Sequence, residues 1–163
     1  MSPKLQVAVI GKGAADEVLE PLAEEVGRRL AEASAIVVCG GLGGVMEAAS
    51  RGAHGVGGEV IGIVPGENPG DANPHVTHVV ATGIGQARNL AVVASADAVV
   101  AIGGEWGTLA EMAFARRLGR PVVTLRGWKV SGEGVMEGGP GIEVASSAAE
   151  AAQLALARAV NPD

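Results

Sequence analysis

A glycine-rich turn that follows the apolar run Ala98–Ile102 is the stretch best suited to chemistry. The run predicts a buried strand, and the spacing after the turn predicts a helix. The first N–H groups of a helix lack partners within it, and the helix dipole adds positive potential at that end. Because glycine also lets a ligand approach the backbone closely, we predict a phosphate-binding turn formed by Gly103, Gly104, Gly107 and Thr108.

Two charged residues near this turn are candidates for catalysis, Arg88 and Glu111. Arg88 lies in the first turn of a predicted helix, where the dipole disfavours a cation, and residues that break such a local rule are often functional. A guanidinium there can hold a phosphate through two hydrogen bonds, and a salt bridge to a nearby acid is the alternative. Glu111 follows Thr108 by three residues, so the pair also fits a capping box that serves only the helix end. Glu105, within the turn, opposes anion binding unless its carboxylate points away.

An earlier stretch, residues 37–49, repeats the pattern of residues 100–113: a strand, two glycines, a short turn, a third glycine and a helix. The repeat predicts a second turn, formed by Gly40, Gly41 and Gly44, at the same crevice. The alternative is that turns between strands and helices favour glycine in any α/β protein.

A third turn, at Gly11, begins like a dinucleotide fingerprint, but Asp16 stands where the fingerprint has its last glycine. We therefore predict a tight turn into a helix capped by Asp16, with Gly11 adding backbone to the same ligand site. Lys12 in this turn can reach a phosphate or remain solvated. Trp106 can stack on a base or form a hydrophobic lid. The three histidines show no spacing typical of a metal site.

These residues must be positioned by a regular alternation of strands and helices. Strands are predicted at residues 5–10, 35–39, 59–64, 76–80, 98–102, 121–125 and 142–144. Helices are predicted at residues 16–33, 45–53, 86–96, 108–118 and 147–160. Residues 67–74 are predicted to form a mobile loop, and residues 126–140 a glycine-rich connection.

The predicted strands are continuous apolar runs, as expected when both faces of a sheet are covered. The pattern predicts a single Rossmann-like α/β domain over residues 1–163, with a doubly wound, mostly parallel sheet and helices on both faces. In such sheets ligands bind beyond the carboxyl ends of the strands, where the strand order reverses. The three glycine turns all follow strands and are expected to meet there.

The composition of the chain favours some classes of binding partner over others. The formal net charge is −6 and aromatic residues make up 2% of the chain, which argues against a nucleic-acid partner. A small anionic ligand is still compatible, because a local site can be positive on an acidic protein. Cys39 is the single cysteine, so neither an intramolecular disulfide nor a cysteine-rich metal site is expected. No apolar run is long enough for a membrane span, and a cytoplasmic location is expected.

The motifs together resemble a known family. The stretch GGEWGTLAE at residues 103–111 resembles the PGGxGTxxE motif of the Lonely Guy family, once misannotated as lysine decarboxylases. Gly40-Gly41 and GVMEA at residues 44–48 resemble that family's GGGxxGLMG stretch, and Arg88 stands where the family carries an arginine. The chain is most similar to a shorter bacterial subfamily that includes proteins similar to molybdenum-cofactor carriers.

The resemblance implies a Rossmann-like homodimer or homotetramer that hydrolyses the N-glycosidic bond of a nucleoside 5′-monophosphate to free base and ribose 5-phosphate. Arg88 and Glu111 would be the catalytic pair. With the turns described above, the implied phosphate- and nucleotide-binding residues are Gly11, Gly40, Gly41, Gly44, Met46, Gly103, Gly104, Gly107 and Thr108. The alternative is a binding protein that carries a phosphorylated ligand, such as molybdenum cofactor, without hydrolysing it.

No cofactor or metal is expected. Lysine decarboxylation would need a lysine that binds pyridoxal phosphate, and Lys4, Lys12 and Lys129 all lie in unsuitable contexts. The chain also departs from the Lonely Guy motifs at four positions. These are Leu42, Asn89, Gly103 and Glu105, which replace a glycine, a lysine, a proline and a glycine.

Overall fold

Seven parallel strands form one sheet in the computed structural model, which describes residues 3–131 and 141–161. The strands are β1 (Gln6–Gly11), β2 (Ile36–Cys39), β3 (Val60–Val64), β4 (His78–Ala81), β5 (Ala98–Ile102), β6 (Val122–Leu125) and β7 (Ile142–Ala145). Their order across the sheet is β4-β3-β2-β1-β5-β6-β7, and every neighbouring pair is parallel. The order reverses between β1 and β5, which creates a crevice at their carboxyl ends.

Helices cover both faces of this sheet. They are α1 (Leu19–Glu32), α2 (Val45–Gly55), α3 (Arg88–Ala94), α4 (Trp106–Arg117) and α5 (Ala148–Val160). Buried side chains of α1, α2 and α5 pack on one face, and those of α3 and α4 on the other. The predicted α/β fold, Rossmann-like and doubly wound, is confirmed.

Small residues make the helix layer dense. Gly27 of α1 lies against the backbone carbonyl of Ala49, and Gly52 of α2 lies against that of Glu24. A β-carbon at either glycine would overlap those carbonyl oxygens, so the two helices approach as closely as their backbones allow. This packing explains how a core with few aromatic residues is filled.

Helix α4 begins two residues before the predicted start at Thr108, so that prediction is wrong. Glu105 is extended (φ −110°, ψ −178°) and is the N-cap, and its carbonyl accepts the N–H of Leu109 at 3.1 Å. Thr108 is the third helical residue and forms a reciprocal capping box with Glu105. The predicted box of Thr108 and Glu111 is therefore also wrong, because Glu111 lies one turn further along the helix.

Other boundaries differ by a turn. The predicted helix over 86–96 is a 3-10 turn, Gly85–Ala87, followed by α3, and the predicted loop over 67–74 contains a second 3-10 turn, Pro69–Asp71. Asn73 holds this loop to the site, since its N–H donates to the Gly41 carbonyl at 2.8 Å. The predicted connection 126–140 lies largely outside the described residues.

The predicted helix start at Asp16 is wrong, because α1 begins at Leu19 and its N-cap is Val18, which forms no side-chain cap hydrogen bond. Asp16 Oδ1 accepts the N–H groups of Val18 and Leu19 at 3.0 Å, and Ser147 Oγ accepts that of Glu150 at 3.1 Å. These side chains supply partners for N–H groups that α1 and α5 leave open. Among the helices in the described ranges, none is long and apolar enough to cross a membrane.

Candidate functional site

A cavity of about 220 Å³ opens at the carboxyl ends of β1, β2 and β5, where the strand order reverses. Seven of the predicted site residues line it: Gly11, Gly40, Met46, Arg88, Gly107, Thr108 and Glu111. They come from the end of β1, from the turn after β2, and from α2, α3 and α4. The fold therefore brings together residues that are up to 100 positions apart in the sequence.

The remaining predicted glycines do not line the cavity, but each contacts a neighbouring segment. Gly44 has φ +61°, and a β-carbon there would overlap the Lys12 carbonyl. Gly103 has φ +64°, and its N–H donates to the Leu125 carbonyl at 2.9 Å. Gly41 and Gly104 lie against the side chains of Val64 and Trp128, respectively. Their roles as direct ligand contacts stay predictions.

Arg88 is the first residue of α3 and is only 4% exposed. Its Nε is buried without a hydrogen-bond partner. Burial lowers the pKa of the guanidinium, and the nearby Glu111 carboxylate opposes that shift. Arginine keeps its charge in proteins, so this side chain places a buried cation in the cavity wall.

Gly40 makes room for this guanidinium. A β-carbon on Gly40 would overlap Arg88 Nη1 and would lie 2.7 Å from Met46 Sδ. Glycine at this position therefore lets the guanidinium lie against the backbone that follows β2.

Glu111 lies in the middle of α4, is 8% exposed and faces the same cavity. Burial raises the pKa of its carboxyl to about 7, and Arg88 opposes the shift. No ion pair joins Glu111 directly to Arg88 in the part of the chain that the structure describes. The carboxyl is thus poised to gain or lose a proton near neutral pH.

Side chains of the protein already form hydrogen bonds with part of the backbone at the N-terminus of α4. Thr108 Oγ1 accepts the N–H of Glu105 at 3.5 Å, and Trp128 Nε1 donates to the Glu105 carbonyl at 3.1 Å. Trp106, 77% exposed, lies against Trp128 with ring centroids 5.1 Å apart. A β-carbon at Gly107 would meet nothing within 4 Å, so the backbone there is open to a ligand.

Sequence reasoning missed two amide side chains in the cavity wall, Gln86 and Asn89. Asn89 Nδ2 donates to Gln86 Oε1 at 3.3 Å, which joins the 3-10 turn Gly85–Ala87 to the start of α3. Their spacing of three residues around Arg88 is the signal that would have found them, because residues i and i+3 share a helix face. Lys12, by contrast, is paired with Asp16 at 3.4 Å.

Among residues 3–131 and 141–161, the side chains form no group of three or more His, Cys, Asp or Glu that could hold a metal ion. Cys39 is fully buried below the cavity, where its Sγ lies 3.5 Å from Ser50 Oγ, and burial raises the pKa of its thiol. A thiol in that state is a weak ligand and a weak nucleophile.

Comparison with known proteins identifies the family. The model of the SLOG cluster4 family matches residues 4–156. The chain belongs to the SLOG cluster4 family. The predicted resemblance to the Lonely Guy family and to molybdenum-cofactor carriers is thereby confirmed.

Relatives of this SLOG protein include an uncharacterized protein of Archaeoglobus fulgidus, 40% identical over 75% of the chain and 80% of the relative. The structure is similar to that of the molybdenum cofactor binding protein from Rippkaea orientalis, with a TM-score of 0.86, 31% identity, and 96% and 98% of the two chains covered. It is also similar to the molybdenum cofactor carrier protein of Chlamydomonas reinhardtii, with a TM-score of 0.80, 30% identity, and 95% and 99% covered.

Proposed function

We propose that this SLOG protein binds and carries a small phosphorylated ligand, of which molybdenum cofactor is one example. The observation that carries the proposal is the Arg88 guanidinium, which is buried, unpartnered at Nε and open to the cavity. A buried cation with a donor that lacks a hydrogen-bond partner is costly, so a bound anion would stabilise it. Similarity to a cofactor-binding protein and a carrier protein over almost the whole chain supports the same function.

The cavity offers two kinds of donor to a phosphate. The planar guanidinium can donate two parallel hydrogen bonds to phosphate oxygens. The open backbone at Gly107 lies at the start of α4, where N–H groups and the helix dipole favour negative charge. The amides of Gln86 and Asn89 are then available for the remainder of the ligand.

A second candidate function is the hydrolysis of a nucleoside 5′-monophosphate, which the sequence resemblance implied. Glu111 favours it, because a carboxyl with a pKa of about 7 in the same cavity suits proton transfer at neutral pH. Cleavage of an N-glycosidic bond builds positive charge on the ribose, and a carboxylate stabilises that charge. The carrier function has the broader support, because the similar solved structures are of cofactor-binding and carrier proteins.

Incubation with AMP distinguishes the two functions. A carrier is expected to be protected against thermal unfolding by roughly 5–10 °C at about 100 times the dissociation constant, without release of adenine. Release of free adenine at a steady rate would instead establish the hydrolase. An Arg88→Met variant should lose the protection, and the matched variant of an exposed arginine, Arg117→Met, should keep it. Equal protection of both variants would contradict the proposed site.

We also propose that the protein forms a homodimer or homotetramer through the face covered by α3 and α4. Two helices cover this face, against three on the other, and Leu90, Phe114 and Leu118 are each about two-fifths exposed on it. Exposed apolar patches of this kind mark protein interfaces. A cytoplasmic location, and no nucleic-acid or membrane partner, are parts of the same proposal.

Replacing Phe114 with aspartate is expected to shift the protein towards monomer in light scattering coupled to gel filtration, because a buried unpaired charge destabilises an apolar interface. Val56, 44% exposed after the end of α2, provides the control variant Val56→Asp. An unchanged mass for Phe114→Asp, or a monomeric wild-type protein, would exclude this interface.

A further inference from the structure

Two buried ionisable side chains of opposite charge type line the cavity, and within the described residues they form no direct ion pair with each other. Arg88 is 4% exposed and Glu111 is 8% exposed, and no ion pair joins them within the described residues. An anion that binds to the guanidinium therefore enters a space that also contains the Glu111 carboxyl. Two negative groups beside one cation in a space with little water repel each other strongly.

Few other charges can relieve this repulsion. Helix α4 packs against α3, β1, β5 and β6. Arg88 is the sole charged residue of α3, and the three strands carry no ionisable side chain. Among the described residues, the other ionisable group that lines the cavity is Glu105, at the N-cap of α4, and its charge is also negative. Cys39 lies behind Arg88, and its buried thiol adds no cation.

We propose that the cavity takes up its anionic ligand, a phosphate monoester, together with one proton that Glu111 holds while the anion lies against Arg88. The inference rests on the proposed binding function. The proton comes from solvent and forms one O–H bond on the Glu111 carboxylate, and no other bond forms or breaks. The neutral carboxyl then donates a hydrogen bond towards the anion instead of repelling it.

Proton uptake makes the ligand easy to release as pH rises. The affinity of the wild-type protein is expected to fall about tenfold for each pH unit above about 7, because loss of one proton must accompany loss of the ligand. A single buried cation also suits a monoester better than a di- or triphosphate, which would add further unpaired charge.

Sulfate is a suitable probe, since it stays doubly charged through the neutral range and so adds no protonation of its own. Its affinity should be measured by calorimetry between about pH 6 and about pH 9. In wild-type protein we expect the tenfold loss per pH unit above neutrality. In Glu111→Gln we expect an affinity that does not change with pH and matches the wild-type value at the acidic end. Glu105→Gln, which alters the other carboxylate of the cavity, should keep the wild-type pH dependence.

A wild-type affinity for sulfate that is the same at every pH would overturn the inference and leave the proposed function standing. For AMP, the wild-type and Glu111→Gln affinities are compared at each pH, so the protonation of its own phosphate cancels. Failure of both probes to bind at any pH would overturn the proposed function as well.

Should Glu111→Gln fail to fold, calorimetry of the wild-type protein in two buffers of different ionisation enthalpy counts the protons directly. The count is made at about pH 8.5, where Glu111 is ionised before the ligand binds. A count near one there supports the inference and a count of zero excludes it.

Discussion

A Gly40→Ala variant is expected to bind AMP about 100-fold more weakly than the wild-type protein while it keeps its fold. A methyl group at this position would overlap Arg88 Nη1, so the guanidinium must leave the backbone that follows β2. The backbone of Gly40 itself does not require glycine, because it is not among the residues with positive φ. Movement of the flexible end of Arg88 costs the fold little, but it removes the two charged hydrogen bonds proposed for the ligand.

Gly55→Ala is the matched control for this prediction. A β-carbon on Gly55 meets nothing within 4 Å, and the residue ends α2 on its exposed side. Its affinity for AMP should equal that of the wild-type protein, and urea unfolding should show similar stability for both variants. Full affinity in Gly40→Ala would mean that the guanidinium is not what holds the phosphate.

Most of the architecture could be predicted from the sequence because most strands are continuous apolar runs, and β2, β3 and β5 are followed directly by glycine or proline. The same runs show why the register could not be predicted. A uniformly apolar strand such as Ala98–Ile102 buries similar side chains in every register with its neighbour. Only tertiary packing therefore aligns Gly11 with Ile102 across β1 and β5.

The site was predicted best where a residue contradicts its local setting. Arg88 stands at the start of a helix, where its charge is unfavourable, and it lies buried in the cavity wall. The start of α4 was predicted poorly, because Thr108 is a better N-cap by type than Glu105. The observed N-cap, Glu105, is held by the Trp128 indole, a long-range contact that local sequence does not contain.

The burial of Glu111 should also be visible in the stability of the protein without any ligand. Its pKa is raised by burial from 4.5 to about 7 in the folded state. A carboxyl whose folded pKa is raised contributes stability that is fully present below the unfolded pKa and is lost as pH rises through the folded pKa. The free energy of unfolding should therefore fall by about 3 kcal/mol, at most, between about pH 5 and about pH 8 through this one group.

Glu111→Gln is expected to remove that part of the pH dependence, because the amide stays neutral throughout. Urea unfolding of both proteins at a series of pH values gives the difference directly, and the contributions of the three histidines cancel in it. Glu150→Gln serves as the control, since hydrogen bonds from Ser146 lower the pKa of Glu150. Its contribution to stability is lost as pH falls, which is the opposite direction to that of Glu111.

If the free energies of unfolding of wild type and Glu111→Gln depend on pH in the same way from acid to alkaline pH, the carboxyl is ionised in the folded protein at the same pH as in the unfolded chain. The cavity would then hold a fully charged pair before any ligand arrives, and the second candidate function would lose the neutral-pH proton transfer that favours it.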